Sequence, residues 1–232
     1  MLQHLPDLEQ QAIQDHWSYS QFLSALCDLE LSHRLDSRLR RLLQESQLPQ
    51  GKTFTSFDFN HCPSLQPAAI LQLAQDIGWL KRAENLLFFG PSGVGKTHLA
   101  VALGRSVLEL GQRVKFFSAT SLVQLLQQSK IDLQLASTLN KLDRFDLLII
   151  DDLGYVKKSD SETSVLFELI AHRYERKSLI VTANQPFSQW DSIFPDSVMT
   201  VAAVDRLLHH ALILEIQAES FRKHQASSRC LS

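Results

Sequence analysis

The most informative part of the sequence is the stretch 90–97, which reads Gly90-Pro91-Ser92-Gly93-Val94-Gly95-Lys96-Thr97. It fits the pattern G-x-x-x-x-G-K-[ST] in full, with an apolar run at 86–89 before it and an amphipathic stretch at 98–110 after it. Glycines let this backbone turn tightly and point successive N–H groups inward as an anion nest. The following helix directs its N-terminus at the same point. The spacing predicts a phosphate-binding loop between a buried strand and a helix.

Two residues at the end of this loop carry the expected chemistry. Lys96 should reach the β- and γ-phosphates of a nucleoside triphosphate, and the Thr97 hydroxyl should ligate Mg²⁺. We therefore predict that ATP and Mg²⁺ are the cofactors. The alternative is a glycine-rich turn with a chance lysine, which the complete match and its context disfavour.

Further apolar runs resemble the one that precedes the loop. They lie at 114–117, 147–150, 179–182 and 211–214. Runs of this kind suit strands that are buried on both faces of a parallel sheet. Helical patterns at 97–110 and 164–176 alternate with them, and 66–82 reads as another helix before the first strand. This alternation predicts an α/β fold in which helices flank a parallel sheet.

Two acidic residues, Asp151 and Asp152, end the third apolar run. Acids at the carboxyl edge of a neighbouring parallel strand lie where open α/β sheets bind ligands. Asp151 is predicted to hold Mg²⁺, and Asp152 to polarise the attacking water as general base. A helix N-cap or a turn pair is the structural alternative. Related P-loop ATPases usually have glutamate in the second position. Because aspartate is one methylene shorter, either hydrolysis is slow or a second water bridges the gap to the attacking water.

Three more polar residues are candidates for contacts with the triphosphate. Asn184 follows the fourth run and could orient the lytic water, although asparagine before proline also suits a turn. Arg206 and Arg222 each offer a fixed fork of donors that matches phosphate, and an arginine can act on a neighbouring subunit's nucleotide. Spacing alone does not separate this role from that of a surface or ion-paired arginine.

The chain is predicted to have three parts. Residues 1–47 read as a helical N-terminal region, 48–65 as an extended linker rich in turn formers, and 66–232 as the nucleotide-binding domain. Phe57 and Phe59 in the linker could border the base of the nucleotide or simply attach the linker to the core.

The N-terminal region contains a short basic stripe. Arg34, Arg38 and Arg41 follow an i, i+4, i+7 spacing and share one helix face, with Leu35, Leu39 and Leu42 expected to form a buried row on another. Such a face could lie on a DNA backbone. Yet residues 1–60 carry five Lys/Arg against eight Asp/Glu, so a solvated helix face is the competing interpretation.

Composition restricts the class of protein. The 232 residues carry a net charge of −2, so any contact with nucleic acid needs a local basic patch. Three separated cysteines with no CxxC pair disfavour both a disulfide scaffold and a zinc site. No apolar run approaches the length of a membrane span, so a cytoplasmic protein with no membrane contact is expected. Adjacent histidines at 209 and 210 would point to different faces of a helix, which favours packing over metal binding.

The chain resembles the IstB-like transposition helper ATPases of bacterial insertion sequences, relatives of the DnaC-like helicase loaders. The matching stretches are ENLLFFGPSGVGKTHLAVALG (84–104), DLLIIDDLGY (146–155), LFELIAHRYERKSLIVTANQPFSQW (166–190), and AAVDRLLHHALILEI (202–216) followed by AESFR (218–222). Nucleotide chemistry does not require HRYERKS, PFSQW or DRLLHH, which makes the resemblance more specific than the loop alone.

The resemblance implies an AAA+ P-loop fold that forms ATP-dependent homo-oligomers on double-stranded DNA and engages a transposase. It implies sensor-1, arginine-finger and sensor-2 roles for Asn184, Arg206 and Arg222. The residues Ala218–Arg222 depart from the family's usual Gly-Glu-Ser-Tyr-Arg run. The N-terminal helical region is also shorter than is usual in the family.

Two other functions stay open at this point. One is a loader that serves a replicative helicase with the same motor, and a transposase gene directly upstream would argue against it. The other is a remnant that binds ATP with little turnover, which the shorter acid at Asp152 and the short N-terminal region motivate.

Overall fold

A parallel five-stranded sheet organises most of the described chain. The structure is a computed structural model that describes residues 5–153, 159–185, 197–218 and 220–221. The strands are β1 (Asn85–Phe89), β2 (Val114–Ser118), β3 (Leu147–Leu153), β4 (Ser178–Ala183) and β5 (Ala211–Glu215). Their order is β2-β3-β4-β1-β5, and every pair is parallel. The five predicted strands and the α/β fold class are confirmed.

Helices cover both faces of this sheet. The described α-helices that follow residue 47 are α3 (Pro67–Gln75), α4 (Gly78–Lys81), α5 (Lys96–Glu109), α6 (Ala119–Ile131), α7 (Leu135–Leu142), α8 (Asp160–Arg173) and α9 (Ser197–Leu208). One face of the sheet packs against α5, and the other packs against α6, with α8 and α9 completing that layer. Gly104 lets α5 approach closely, since a Cβ there would lie 2.5 Å from Cδ1 of Ile149.

The strand residues alternate between these two layers. Leu87, Leu148 and Val181 belong to the core cluster that includes α6 and α8, whereas their neighbours Ile149 and Ile180 are buried outside that cluster. Since successive strand residues point to opposite faces, an apolar run without alternation means burial on both sides. The continuous apolar runs in the sequence are therefore explained by a three-layer packing.

The chain divides into two compact units, Met1–Gln44 and Glu45–Ser232. Helices α1 (Leu5–Gln14) and α2 (Tyr19–Ser46) account for the predicted helical N-terminal region. Helix α2 begins where Ser18 caps it: the Ser18 hydroxyl accepts from the Gln21 amide, and the Ser18 amide donates to the Gln21 side chain. Among described residues, no helix combines the length and apolar character that a membrane crossing needs.

Two segments differ in detail from the sequence-based expectation. The single helix expected over 66–82 is broken into α3 and α4, because the Asp76 carboxylate accepts from the Gly78 amide at 2.8 Å and offers the backbone an alternative to the helix. Residues 48–65, predicted to be an extended linker, contain two 3₁₀ helices at Phe54–Ser56 and Phe59–His61.

One buried arginine, at the end of α8, bonds to the end of α7, to the segment before β3 and to the first residue of β4. The Arg173 guanidinium is 1% exposed and donates to the carbonyls of Leu142, Phe145 and Ser178 at 3.1–3.2 Å. Burial lowers the pKa of Arg173 to about 10, and the carboxylate of Asp143 opposes that shift. The side chain is therefore charged at neutral pH and satisfies three backbone acceptors.

We expect Arg173→Met to destabilise the protein by about 3–5 kcal/mol, because the buried carbonyls lose their donor and the Asp143 carboxylate loses one of its two basic neighbours, keeping His172 at 2.8 Å. The matched control is Arg176→Met, which changes an exposed arginine in the turn just after α8. It should lower the free energy of unfolding by less than about 0.5 kcal/mol. Urea unfolding followed by circular dichroism measures both changes. Equal unfolding midpoints for the two variants would refute the structural role of Arg173.

Candidate nucleotide-binding site

The predicted phosphate-binding loop lies where β1 ends and α5 begins. Gly95 adopts φ +101°, in the left-handed region that favours glycine, and is the residue immediately before α5. A Cβ at this position would lie 2.7 Å from the ring of Phe57. The loop therefore needs glycine here for both its conformation and its close packing.

Lys96 is held inside this loop by three acceptors. Its side chain is 6% exposed, and Nζ donates to the carbonyls of Gly90 (2.8 Å) and Pro91 (2.7 Å) and to Oδ1 of Asn184 (2.7 Å). Asn184 follows β4, so this contact joins the ends of two neighbouring strands. All three acceptors are uncharged groups, so they leave the net positive charge of the lysine available to an anion.

The two aspartates lie on a bulge in β3. The pairing with β4 shifts register between Ile150 and Leu153, and Asp152 adopts φ +66°. The Asn184 side-chain amide donates to Oδ1 of Asp152 at 3.0 Å. Because Asn184 also accepts from Lys96, it connects the lysine to the second aspartate.

Thr182 holds this bulge in place and was not predicted as a site residue. Its hydroxyl donates to Oδ1 of Asp151 at 2.6 Å and accepts from the amide of Asp152 at 2.9 Å. The residue is 1% exposed within β4. In the sequence, Thr182 is the one hydroxyl residue in the apolar run 179–182. This feature points to a site role only once β3 is known to be the neighbouring strand.

The phosphate-binding loop, the two aspartates and Asn184 face one cavity of about 330 Å³. The predicted residues that line it are Ser92, Gly93, Val94, Gly95, Lys96, Thr97, Asp151, Asp152 and Asn184. Gly90 and Pro91 do not line it but supply the carbonyls that bind Lys96. The Thr97 hydroxyl and the Asp151 carboxylate are hard oxygen donors on the same cavity, and this donor set fits Mg²⁺.

Residues from the 48–65 segment form another wall of the cavity. Phe57 and His61 line it, and Phe57 also packs edge-to-face against His98 at 5.2 Å between ring centroids. Nε2 of His98 lies 2.9 Å from the carbonyl of Thr53, which ties the segment to α5. Phe57 thus attaches the segment to the domain, as one of the two interpretations predicts. It also lines the cavity, and its contact with the base stays a prediction. Phe59 packs on Phe57 at 4.8 Å but does not line the cavity.

The chain after β5 returns to the same loop. The Phe221 amide donates to the Gly93 carbonyl at 3.1 Å, and its ring packs edge-to-face on His61 at 5.4 Å. Buried Cys62 lies beside them with Sγ 3.4 Å from the carbonyl of Val94, and burial raises the pKa of its thiol. Arg222, the predicted sensor-2 arginine, lies outside the described residues.

Arg206 does not line this cavity. It lies on α9 and borders a small depression with Asn85, the first residue of β1. The phosphate-binding loop follows the last residue of β1, so Arg206 lies at the opposite end of the strand. The structure therefore does not bring Arg206 to the nucleotide site of its own chain.

The predicted DNA-contacting arginines are exposed on α2. Arg34 is paired with Glu30, with Nε 2.7 Å from a carboxylate oxygen, and Arg38 and Arg41 are also exposed. In the expected buried leucine row, Leu42 is buried and Leu39 is partly buried, whereas Leu35 is 64% exposed, so the expectation is wrong at Leu35. Pairing with Glu30 reduces the net positive charge that this face presents.

Comparison with known proteins identifies the family. The family model described as IstB-like ATP binding protein matches residues 1–229. The chain belongs to the IstB-like ATP-binding proteins. An insertion-sequence ATP-binding protein of Sinorhizobium fredii is 50% identical over 221 residues, which cover 95% of this chain and 74% of that protein. The insertion sequence IS21 ATP-binding protein of Pseudomonas aeruginosa is 36% identical over 219 residues, covering 94% and 82%.

Solved structures place this IstB-like protein in the AAA+ P-loop fold. The crystal structure of the DnaC helicase loader superposes with a TM-score of 0.56 at 23% identity, covering 65% of this chain and 87% of that one. AMPPCP-bound DnaA from Aquifex aeolicus gives 0.61 at 18% identity, covering 80% and 56%. At these identities the likeness establishes the fold, and the family match establishes ATP binding.

The contact between Gly95 and Phe57 generates a prediction for ATP affinity. We expect Gly95→Ala to weaken ATP binding by about tenfold or more. An alanine disfavours the left-handed conformation of residue 95 and its Cβ would clash with Phe57, so keeping the loop in its binding conformation would cost about 1–2 kcal/mol. Titration of a fluorescent ATP analogue measures the change. Gly51→Ala is the matched control, since Gly51 also has positive φ (+77°) but nothing within 4 Å of the added Cβ. Equal affinities for the two variants would contradict the prediction.

Proposed function

We propose that this IstB-like protein is an ATPase that helps DNA transposition by assembling on double-stranded target DNA and engaging a transposase. The observation that carries the proposal is the meeting of Lys96, Thr97, Asp151, Asp152 and Asn184 around one cavity at the carboxyl edge of the sheet. The relatives named as insertion-sequence ATP-binding proteins supply the biological setting.

The proposed reaction is hydrolysis of the γ-phosphate by an activated water. Lys96 neutralises phosphate charge, and in doing so exchanges the carbonyls of its own loop for phosphate oxygens. Thr97 and Asp151 hold Mg²⁺, which when bound offsets the charge that develops on the phosphates. Asp152 accepts a proton from the attacking water. Asn184, which is bonded to Asp152, orients that water.

The bulge suggests why aspartate occupies position 152. Its φ of +66° is a conformation in which short polar side chains such as aspartate are several-fold enriched over other non-glycine residues. The Asn184 amide then positions the shorter carboxylate at 3.0 Å. We therefore propose slow but genuine turnover rather than a remnant without activity.

Arg206 is proposed to act on the nucleotide of a neighbouring subunit. It lies at the amino end of β1, away from the cavity of its own chain, and is exposed. An arginine supplied from another subunit would make hydrolysis depend on an ATP-bound homo-oligomer. Arg222, one residue after the loop-bound Phe221, is proposed as the sensor-2 contact.

DNA contact is proposed for Arg34, Arg38 and Arg41 on α2. Exposed arginines three and four residues apart can follow a phosphate backbone. The alternative role, loading a replicative helicase, is favoured only by the fold it shares with the DnaC helicase loader. A transposase gene directly upstream would favour the transposition role.

Steady-state ATP hydrolysis with and without duplex DNA tests the core of the proposal. We expect turnover that rises several-fold with DNA and falls to background in Lys96→Ala, because Lys96 contacts the phosphates directly. The DNA-dependent increase should shrink at higher salt, since phosphate contacts release counterions. ATP binding with no turnover above the Lys96→Ala blank would favour the remnant instead.

Mixing two inactive variants tests whether Arg206 acts between subunits. Arg206→Ala alone should lose at least about 10³-fold in turnover, and Lys96→Ala should be inactive. A mixture should recover activity, because subunits with an intact Lys96 receive an intact Arg206 from their neighbours. Mixing Lys96→Ala with Asp152→Asn is the control, since both defects lie in the cavity of the same chain and mixing cannot repair either. No recovery at any mixing ratio would refute the intersubunit role.

A further inference from the structure

Two sequence stretches that nucleotide chemistry does not require meet on one surface. The turn after α8 carries Tyr174 and Glu175, and the turn after α9 carries His209 and His210. The Tyr174 hydroxyl lies 2.7 Å from Nδ1 of His209, and a carboxylate oxygen of Glu175 lies 3.7 Å from Nε2 of His210. Residues some thirty-five positions apart, as Tyr174 and His209 are, thus form one polar cluster.

The cluster has the side chains of a metal site. The two imidazole rings are 4.0 Å apart between centroids, and one ligand atom from each of Glu175, His209 and His210 lies within 4.8 Å of the other two. The expectation that adjacent histidines point to different helix faces is wrong here. Helix α9 ends at Leu208, and both histidines lie in the turn beyond it.

The backbone that carries these ligands is anchored. The His210 carbonyl accepts from the Asn85 amide at 2.9 Å, and the His209 amide donates to the Asp205 carbonyl at 2.9 Å. On the other turn, the Lys177 amide donates to the Arg173 carbonyl at 3.0 Å. The backbone on both sides is thus held in place, and rotation of the side chains is the movement left to bring the three ligand atoms together.

We propose that Glu175, His209 and His210 form a binding site for a divalent transition-metal ion of the zinc class. Bonds of about 2.0–2.2 Å place two ligands of one zinc ion roughly 3–4 Å apart, so the groups must close by about 1 Å. Two imidazoles and a carboxylate leave a fourth position for water. Tyr174, bonded to one ring nitrogen of His209, holds that ring as partners of metal-bound histidines usually do.

The surrounding charge determines which ion fits. Arg206 and Lys177 line the same depression as Glu175 and His210, and Lys177 is paired with Asp146 at 2.7 Å. These cations oppose binding that depends on charge alone, as that of Mg²⁺ or Ca²⁺ largely does. Imidazole nitrogens favour zinc, copper or nickel through the ligand bond itself, so transition-metal ions are selected.

Zinc titration of the full-length protein without nucleotide tests the site. A chromophoric chelator in competition gives stoichiometry and affinity, and Co²⁺ as a spectroscopic substitute reports coordination through its visible absorption. We expect one equivalent of Zn²⁺ on the wild-type chain. The double variant His209→Ala/His210→Ala should lose it, and Glu175→Gln and Tyr174→Phe should each weaken binding by about tenfold or more.

The controls separate this site from other ligands and from the ATPase proposal. His33→Ala, an exposed histidine on α2, should bind zinc as the wild type does, and so should Lys96→Ala, which tests the nucleotide site independently. All cluster residues are partly or fully exposed, so thermal unfolding without metal should be unchanged in the variants. Unaltered stoichiometry and affinity in the double variant, or no Zn²⁺ bound by the wild type at micromolar concentrations, would overturn the proposal.

Discussion

Parallel pairing of β4 with both β1 and β3 is the constraint on which the site depends. Phe89 of β1 pairs with Ala183 of β4, and Ala183 also pairs with Leu153 of β3. The carboxyl ends of three strands therefore lie side by side, and each supplies a different part: the phosphate-binding loop, Asn184 and the two aspartates. A change of one residue in either register would separate Lys96 from Asn184, and Asp151 from Thr182.

Within this frame, hydrogen bonds connect the parts in a chain. Lys96 donates to Asn184, Asn184 donates to Asp152, and the Asp152 amide donates to Thr182, which in turn donates to Asp151. In the proposed mechanism a triphosphate competes for Lys96 with Asn184 as well as with the loop carbonyls, because all of them offer oxygen acceptors to one ammonium. Binding of phosphate would then change the hydrogen-bond partners of Asn184. Because Asn184 also bonds to Asp152, the position of the Asp152 carboxylate would change without any large movement of the backbone.

The cavity also depends on segments that lie far from the loop in sequence. Phe57 precedes the sheet and Phe221 follows its last strand, yet both line the cavity beside Gly93 and Gly95. The sheet brings them together because β5 pairs with β1, which returns the end of the described chain to the loop. Aromatic rings on this wall offer flat apolar surface of the kind that a nucleotide base can contact.

The sequence by itself determined the sheet strands, the phosphate-binding loop and the two acids, because each is a local pattern. A buried parallel strand is a continuous apolar run, and an anion nest needs glycines at set positions. Tertiary structure alone decided the role of Thr182, the cavity wall from 48–65, and the separation of Arg206 from the cavity of its chain. It also decided the meeting of Glu175 with His209 and His210. These features depend on which strands become neighbours and where helices end, and non-local packing sets both.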